Sequence, residues 1–208
     1  MKYLPLFPLE LVVFEGETVR LHIFEPRYKQ LLNEVMEEET SFGMPVVFEK
    51  KLEGTGTELG NVKLIEKWSG GEMDIECTAL SRFEILDFHP VANGKLYGGG
   101  FVKEIPFTDN EDKELKLRIA DLLRELYTHT QFDGGKFPDP TADFSRWVHK
   151  CGLQTKQEIE LAALTSMSDR QFYIINHLKN LLSSLHALQE MKEKIMLNGH
   201  FKKMSNPL

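Results

Sequence analysis

The stretch LPLFPLELVVFEGETVRLHIFEPRY, residues 4–28, decides most of what the sequence predicts about the fold. Phe7 and Pro8 predict an extended strand at the start. Residues 18–24 follow as a run of β-branched and apolar side chains, which is typical of a strand. Glu25-Pro26 then begins a helix, because proline at the first helical position lacks only an N–H that would have no helical partner there. The stretch therefore predicts an extended segment, a strand and a helix in succession.

The rest of the first half also alternates with the period of two that is typical of strands. Met73, Ile75 and Cys77, for example, alternate with charged residues. The predicted strands cover residues 18–24, 43–48, 61–68, 72–80, 82–88 and 96–105, and turns that contain glycine or asparagine separate several of them. Short strands at this spacing predict a meandering antiparallel sheet that closes into a barrel or packs as a sandwich, with one inserted helix.

After Pro106 the periodicity changes to that of helices. Capping-box patterns begin at Thr108, Thr155 and Ser168, and Asp139-Pro140 begins a further helix that carries residues 144–148. The fourth and longest helix is predicted to bury Phe172, Ile175, Leu178, Leu182, Leu185, Leu188 and Ile195, with a frayed tail from residue 198. Strands followed by helices predict an α+β protein, with a β domain at 1–107 and a four-helix bundle at 108–208.

Composition and charge limit the classes of function. No apolar run approaches the roughly 18 to 20 residues that a membrane span needs, and the first residues lack a signal-peptide cleavage site, so we expect a cytoplasmic protein without membrane contact. The net charge is −7 and no basic stripe is present, which argues against nucleic-acid binding. Cys77 and Cys151 lie among apolar residues in different predicted domains, which indicates buried reduced thiols; a disulfide or a metal pair is the alternative.

Three segments of the opening stretch carry a family resemblance: LPLFPL at 4–9, VVFEGE at 12–17 and LHIFEPRY at 21–28. Together they closely resemble the start of the N-terminal, substrate-binding domain of Lon proteases. Residues 81–85 resemble a later strand of that family. Glu15 and Ala79 depart from the family pattern, which usually has proline and glycine at these positions. The resemblance implies a PUA-like, Lon-type β-barrel with one inserted helix and a four-helix bundle after it, in a stand-alone form without the ATPase and peptidase domains.

The family-motif residues have physical roles of their own, which favour a structural interpretation over a ligand-contact one. The set is Pro8, His22, Glu25, Pro26, Arg27, Tyr28 and Arg82. Glu25 is predicted to accept N–H bonds at the helix N-terminus, where the helix dipole favours a carboxylate. Arg27 is predicted to pair with a carboxylate across the barrel. Tyr28 is predicted to place its ring inside and its hydroxyl at the rim.

Motifs of catalysis are largely missing from the sequence. A P-loop needs G-x-x-x-x-G-K-[ST], and the Gly-Lys pairs at 94–95 and 135–136 lack the following Ser or Thr. Gly98-Gly99-Gly100 lies inside a strand pattern, which predicts a bulge or a close backbone approach. The seven histidines are scattered and form no H-E-x-x-H pair. We therefore predict no catalytic residues, no metal and no cofactor.

These observations favour a non-catalytic module that recognises unfolded or exposed polypeptide segments, as an adaptor or regulator in protein quality control and proteolysis. Its partners would be polypeptide substrates or a separate protease or ATPase, and pairing of bundle helices between chains would give a homo-oligomer. The candidate peptide-binding residues are Phe7, Phe14, Phe24, Phe83 and Tyr97, although part of this set must be core. One alternative is a small-molecule-binding or cryptic hydrolytic protein that uses the seam between the domains, with His89 or His149; another is RNA binding through the PUA-like barrel.

Overall fold

The computed structural model describes residues 1–130, 139 and 142–204, with side chains up to residue 196. Its strands are β1 (Lys2–Leu6), β2 (Thr18–Ile23), β3 (Phe42–Phe48), β4 (Lys51–Lys67), β5 (Met73–His89) and β6 (Gly98–Ile105). Its helices are α1 (Pro26–Glu37), α2 (Lys113–Thr130), α3 (Thr155–Ala163) and α4 (Met167–Met204), and two 3-10 turns cover Phe144–Arg146 and Val148–Lys150. The predicted α+β class is confirmed.

The six strands form one sheet in the order β2-β5-β4-β3-β1-β6, and β6 also pairs with β5. The pairings therefore run from β5 through β4, β3, β1 and β6 and return to β5, with β2 added on β5. All named pairs are antiparallel except β1 with β3, which meet in parallel at Leu6 and Gly43. The predicted strands at 72–80 and 82–88 are one strand, because the pairing of β5 with β4 continues on both sides of Ser81, although the register shifts there.

The first compact unit contains residues 1–108 and 153–166. Its main core lies where α1 packs on the sheet, and the predicted apolar stripe of α1 is buried there. The members from α1 are Tyr28, Leu31, Leu32 and Val35, and those from β5 are Met73, Ile75, Cys77 and Ala79. Because both elements bury the side chains that their periods predict, local pattern and packing agree in this part of the chain.

The second unit contains residues 109–152 and 167–208, and α2 and α4 form its core. Asp112 contacts Gln171 and His129 contacts His186, so the two helices run in the same direction. The buried side chains are Ile119, Leu122, Leu123 and Leu126 from α2, and Ile174, Ile175, Leu178 and Leu182 from α4. Phe172, Leu188 and Ile195 were predicted to be buried but are exposed, because α4 is covered along only part of its length.

The prediction of a second α-helix after Pro106 is wrong, because the described residues form two 3-10 turns there. Phe144, Trp147 and Val148 are buried as predicted, but they lie in the two 3-10 turns, which end before Gly152 at a φ of 74°. Its predicted start at Pro140 lies outside the described residues. The predicted frayed tail also differs, since α4 remains helical to Met204.

The division of the chain differs from the predicted boundary at one element. Residues 153–166, which include α3, belong to the unit that contains the sheet rather than to the helical unit. The Thr108 N–H donates to the Thr165 carbonyl at 2.9 Å, and a parallel bridge joins Thr108 to Ser166. Residues 153–166 therefore belong to the first unit, although the segments before and after them belong to the second.

The two cysteines are free and buried, one in each unit. Burial raises the pKa of Cys77 to about 12, and the neighbouring Glu76 adds to this shift. Burial also raises the pKa of Cys151 to about 12. Both thiols are therefore protonated at neutral pH. Separately, none of the described helices combines the length and the apolarity of a membrane span.

Candidate functional site

Strand β2 lies at an edge of the sheet. It pairs with β5 from Thr18 opposite Thr78 to Ile23 opposite Met73, and among the described residues no strand pairs along its other side. An unpaired strand edge presents a row of backbone N–H and C=O groups that an extended chain can bind. The β2 edge is therefore a place in the first unit where a peptide backbone can join the sheet.

Three aromatic side chains meet at the end of β2, and we call His22, Phe24 and Trp68 the aromatic cluster. The His22 ring stacks on Phe24 with centroids 6.1 Å apart and meets Trp68 edge-on at 5.6 Å. Phe24 is 60% exposed and Trp68 is 37% exposed. The cluster therefore offers apolar surface to solvent, immediately beside the free edge.

Two local features fix the aromatic cluster in place. Asp74 lies opposite His22 in the β2–β5 register, and its Oδ1 is 2.7 Å from His22 Nδ1. Trp68 begins the turn between β4 and β5, where its N–H donates to the Glu72 carbonyl and its carbonyl accepts from the Gly71 N–H, both at 2.9 Å. Gly71 has a φ of 79°, which favours glycine. Backbone pairing thus positions rings that come from distant parts of the sequence.

A separate set of residues in the first unit lines a cavity of about 620 Å³. Its polar groups meet at Glu34 on α1, whose carboxylate accepts from Lys95 Nζ at 2.8 Å, from Gln30 Nε2 at 3.0 Å and from the Tyr97 hydroxyl. Leu96 N–H in turn donates to Gln30 Oε1 at 3.0 Å. This network ties the segment before β6 to α1.

The network determines the protonation states of Glu34 and Tyr97. The hydrogen bond from Lys95, followed by that from Tyr97, lowers the pKa of Glu34. Burial, followed by the hydrogen bond to Glu34, raises the pKa of Tyr97. Glu34 is therefore ionised and Tyr97 neutral at pH 7, and the charge of Glu34 is compensated by Lys95. A carboxylate saturated in this way is a poor general acid, because it holds no proton to donate near neutral pH.

Comparison with known proteins identifies the family. A family model of the ATP-dependent protease La (LON) substrate-binding domain matches residues 3–204. The chain belongs to this family. The family is named for the part of the protease that binds substrate, so the chain is related to a substrate-binding module. No curated protein gives a match to this sequence.

Solved structures show the same Lon fold. The Lon N-terminal domain protein from Xanthomonas campestris is 21% identical, with a TM-score of 0.61, and the match covers 88% of this chain and 98% of that one. The N-terminal domain of the Mycobacterium avium complex Lon protease is 15% identical, with a TM-score of 0.60 over 86% of this chain and 98% of that one. The Lon N-terminal fold predicted from the opening stretch is thus confirmed.

The structure places most of the predicted peptide-binding residues in the interior of this Lon domain. Phe7, Phe14, Phe83 and Tyr97 are buried, and Phe24 is exposed. Phe7, for example, stacks on Tyr28 with centroids 3.8 Å apart. Buried rings cannot meet a peptide without rearrangement, so we retain Phe24 and correct the choice of the other four as surface contacts. Trp68 is not among the predicted residues, although a large aromatic directly before a Ser-Gly-Gly turn is a signal of exposure.

The Lon-motif residues at the start of α1 differ in detail from their predicted contacts. The Glu25 side chain caps no helix N–H; it pairs with Arg27, whose Nη2 lies 2.7 Å from Glu25 Oε2. Arg27 therefore does not reach across the sheet, because its partner lies in the same turn and its guanidinium also covers the Tyr28 ring at 4.7 Å. Tyr28 is buried as predicted, and Pro26 occupies the first turn of α1.

The remaining motif residues are distributed over the first unit. Arg82 is buried, and its Nη2 donates to Thr55 Oγ1 at 3.0 Å, which links β5 to β4. Pro8 is partly buried after β1. His22 differs from both, because it is exposed and belongs to the aromatic cluster. The motif therefore includes a residue at the candidate site as well as residues of the interior.

Proposed function

We propose that this chain binds extended polypeptide segments, using the β2 edge for the peptide backbone and the aromatic cluster for an apolar side chain. The observation that carries the proposal is that the free edge and the aromatic cluster adjoin, since β2 ends at Ile23, Phe24 follows it directly, and His22 on β2 contacts both Phe24 and Trp68. Its membership of a substrate-binding family supports the same function.

The chemistry of the surface suits unfolded clients. An unfolded chain displays unpaired backbone groups and apolar side chains together, and a folded protein rarely does. Burial of an exposed aromatic contributes about 1.5 to 3 kcal/mol and a main-chain hydrogen bond about 1 kcal/mol, so Phe24, Trp68 and a few such bonds set an upper limit near micromolar affinity, about −8 kcal/mol. The conformational entropy that the peptide loses on binding keeps the affinity from being higher.

The test is a titration of a fluorescently labelled, reduced and unfolded protein with the purified chain, followed by anisotropy. We expect saturable micromolar binding that Phe24→Ala and Trp68→Ala each weaken by about tenfold, as for hot-spot aromatics. Phe172→Ala is the matched control, because Phe172 is 54% exposed but lies on α4 in the other unit. Absence of saturable binding, or equal binding by all three variants and the parent chain, would refute the proposal.

We further propose that the module acts as an adaptor or regulator in protein quality control in the cytoplasm and works with a separate protease or ATPase. Membership of a family named for an ATP-dependent protease supports this role. Affinity purification from native cells with the parent chain and with the Phe24→Ala/Trp68→Ala double variant tests it. A dedicated partner should remain with both baits, whereas clients should be lost from the variant. If neither bait retains a protease or an ATPase, the adaptor role is wrong.

Small-molecule binding in the first unit is a second candidate function. The cavity of about 620 Å³ supports it, because this volume lies within the ordinary range of ligand sites and Glu34, Lys95 and Tyr97 converge there. A thermal-shift screen of metabolite classes tests it. A true ligand should raise the melting temperature of the parent chain, and Lys95→Met should abolish that rise. Equal shifts in both would exclude the cavity as the site.

A further inference from the structure

Helices α2 and α4 bring two histidines and one glutamate together in the second unit. Glu125 and His129 are four residues apart on α2 and so share one face. His186 lies opposite on α4, with its Nε2 3.0 Å from His129 Nε2 and 4.0 Å from Glu125 Oε1. One ligand atom from each of the three side chains lies within 4.8 Å of the other two.

We propose that Glu125, His129 and His186 bind a divalent transition-metal ion of the zinc type. Imidazole nitrogen and carboxylate oxygen are the ligands that such ions take in proteins. Two nitrogens bound at about 2.0 to 2.1 Å from one ion lie about 2.9 to 3.4 Å apart at bond angles near 90 to 110°. The 3.0 Å between the two Nε2 atoms matches this separation.

Glu125 provides the third ligand, and a groove beside it leaves one side of the site open. The Glu125 side chain is 47% exposed and is free to move its carboxylate toward the histidines by the small amount that coordination needs. A groove of about 480 Å³ lies beside Glu125 and His186, and Glu190, four residues after His186 on α4, also lines it. The ion would therefore keep a position open to water or to the Glu190 carboxylate.

Coordination by two helices has a structural consequence for the second unit. His129 is next to the last residue of α2, and helix ends fray when nothing holds them. An ion bound by Glu125, His129 and His186 would fasten this end of α2 to α4. Since only the folded pair of helices presents the three ligands together, binding stabilises the folded state.

In the alternative interpretation, the two imidazoles form only an N–H···N hydrogen bond and bind no metal. A zinc titration distinguishes this interpretation from the proposed metal site. Untagged chain is treated with a chelator, dialysed, and titrated with zinc chloride against a chromophoric competitor. We expect one ion per chain with an affinity in the micromolar range or tighter, and a higher melting temperature with zinc. Cobalt(II) bound at the same site should give visible absorption bands that report nitrogen and oxygen ligands.

The variants are His129→Gln, His186→Gln and Glu125→Gln, and the control is His89→Gln at an exposed histidine of the first unit. Loss of a ligand should weaken zinc binding by about tenfold or more and remove the thermal shift, while the control behaves as the parent chain. Circular dichroism with chelator present checks that each variant is folded. If a variant does not fold, cobalt-induced shifts of the His129 and His186 ring signals in the parent chain decide. Binding weaker than about 100 μM in the parent chain, or unchanged binding in the histidine variants, overturns the proposal.

Discussion

The Tyr97 hydroxyl donates a hydrogen bond to the Glu34 carboxylate, which fastens the segment before β6 to α1. Lys95 binds the same carboxylate oxygen at 2.8 Å, so two residues of one segment converge on one charge. Because Tyr97 is buried, removing its hydroxyl leaves part of a charged group without its donor. Stability therefore depends on this contact more than on a surface ion pair.

We expect Tyr97→Phe to lower the free energy of unfolding by about 1.5 to 3 kcal/mol, the range for a hydrogen bond to a charged group. Urea denaturation followed by circular dichroism measures the change. Tyr3→Phe is the control, since Tyr3 lines the same cavity but is exposed, and it should change the free energy of unfolding by less than about 0.5 kcal/mol. Equal effects of the two substitutions would contradict the importance of the Tyr97–Glu34 bond.

Stability should fall in acid because two carboxylates have lowered pKa values in the folded state. Glu34 is one; for Glu58, burial raises the pKa but hydrogen bonds from Lys2, Ser41 and Ser81 together outweigh it. A lowered folded pKa gives stability that is fully present above the unfolded value of 4.5 and is lost as the pH falls through the folded value. Urea midpoints measured from pH 7 to pH 3 should therefore decline below about pH 4.5, and Glu34→Gln should flatten this decline. If the urea midpoint of Glu34→Gln falls with pH as steeply as that of the parent chain, Glu34 is not a source of the acid sensitivity.

Lys2→Met should reduce the part of the acid-induced loss of stability that Glu58 contributes, because the folded pKa of Glu58 then rises toward its unfolded value. Lys2 binds the buried Glu58 carboxylate, and without it the contribution of burial raises the pKa of Glu58. An uncompensated buried charge also costs about 1 to 3 kcal/mol at neutral pH. The same pH series of urea midpoints tests both points, with Lys103→Met on the exposed side of β6 as the control. An unchanged profile for Lys2→Met would show that Glu58 does not depend on Lys2.

Gly100→Ala should destabilise the sheet by about 2 to 3 kcal/mol or prevent folding, as overpacking of an interior does. An added Cβ at Gly100 would overlap the Asp87 carbonyl oxygen on β5, where the β5–β6 register shifts. Gly54→Ala is the control, because no atom lies within 4 Å of its added Cβ. The melting temperatures of the two variants give the comparison, and a stable Gly100→Ala chain would contradict the close approach.

Asp112→Ala should cost about 1 kcal/mol, the value of a typical N-cap. Asp112 Oδ1 accepts from the N–H groups of Glu114 at 2.8 Å and Leu115 at 3.0 Å, and so caps α2. Asp109→Ala removes a carboxylate just outside this turn and should have little effect. Thermal unfolding of both variants measures the difference, and if Asp109→Ala is the more harmful change, then α2 is capped elsewhere.

The local parts of the fold could be predicted from the sequence. Pro26 and the apolar spacing of α1 predict that helix correctly, and the alternation from Met73 to Ala79 predicts its strand, because each depends on residues close in the chain. The Gly98-Gly99-Gly100 run also predicted a close backbone approach, which Gly100 makes.

The candidate sites could not be predicted in the same way. Phe14 and Phe24 have similar local surroundings, yet the first is buried and the second exposed, since exposure depends on which strands become neighbours. His129 and His186 meet across a separation of 57 residues, which no local pattern reveals. The signal that was available was the Glu125–His129 spacing of one helical turn.

The passage of residues 153–166 back to the first unit has a consequence during synthesis. Residues 153–166 leave the ribosome only after α2 has emerged, and α2 must then wait for α4 before it can bury Leu122 and Leu123. A nascent chain that stops near residue 166 therefore exposes the apolar face of α2 and should stay open there to proteases and chaperones.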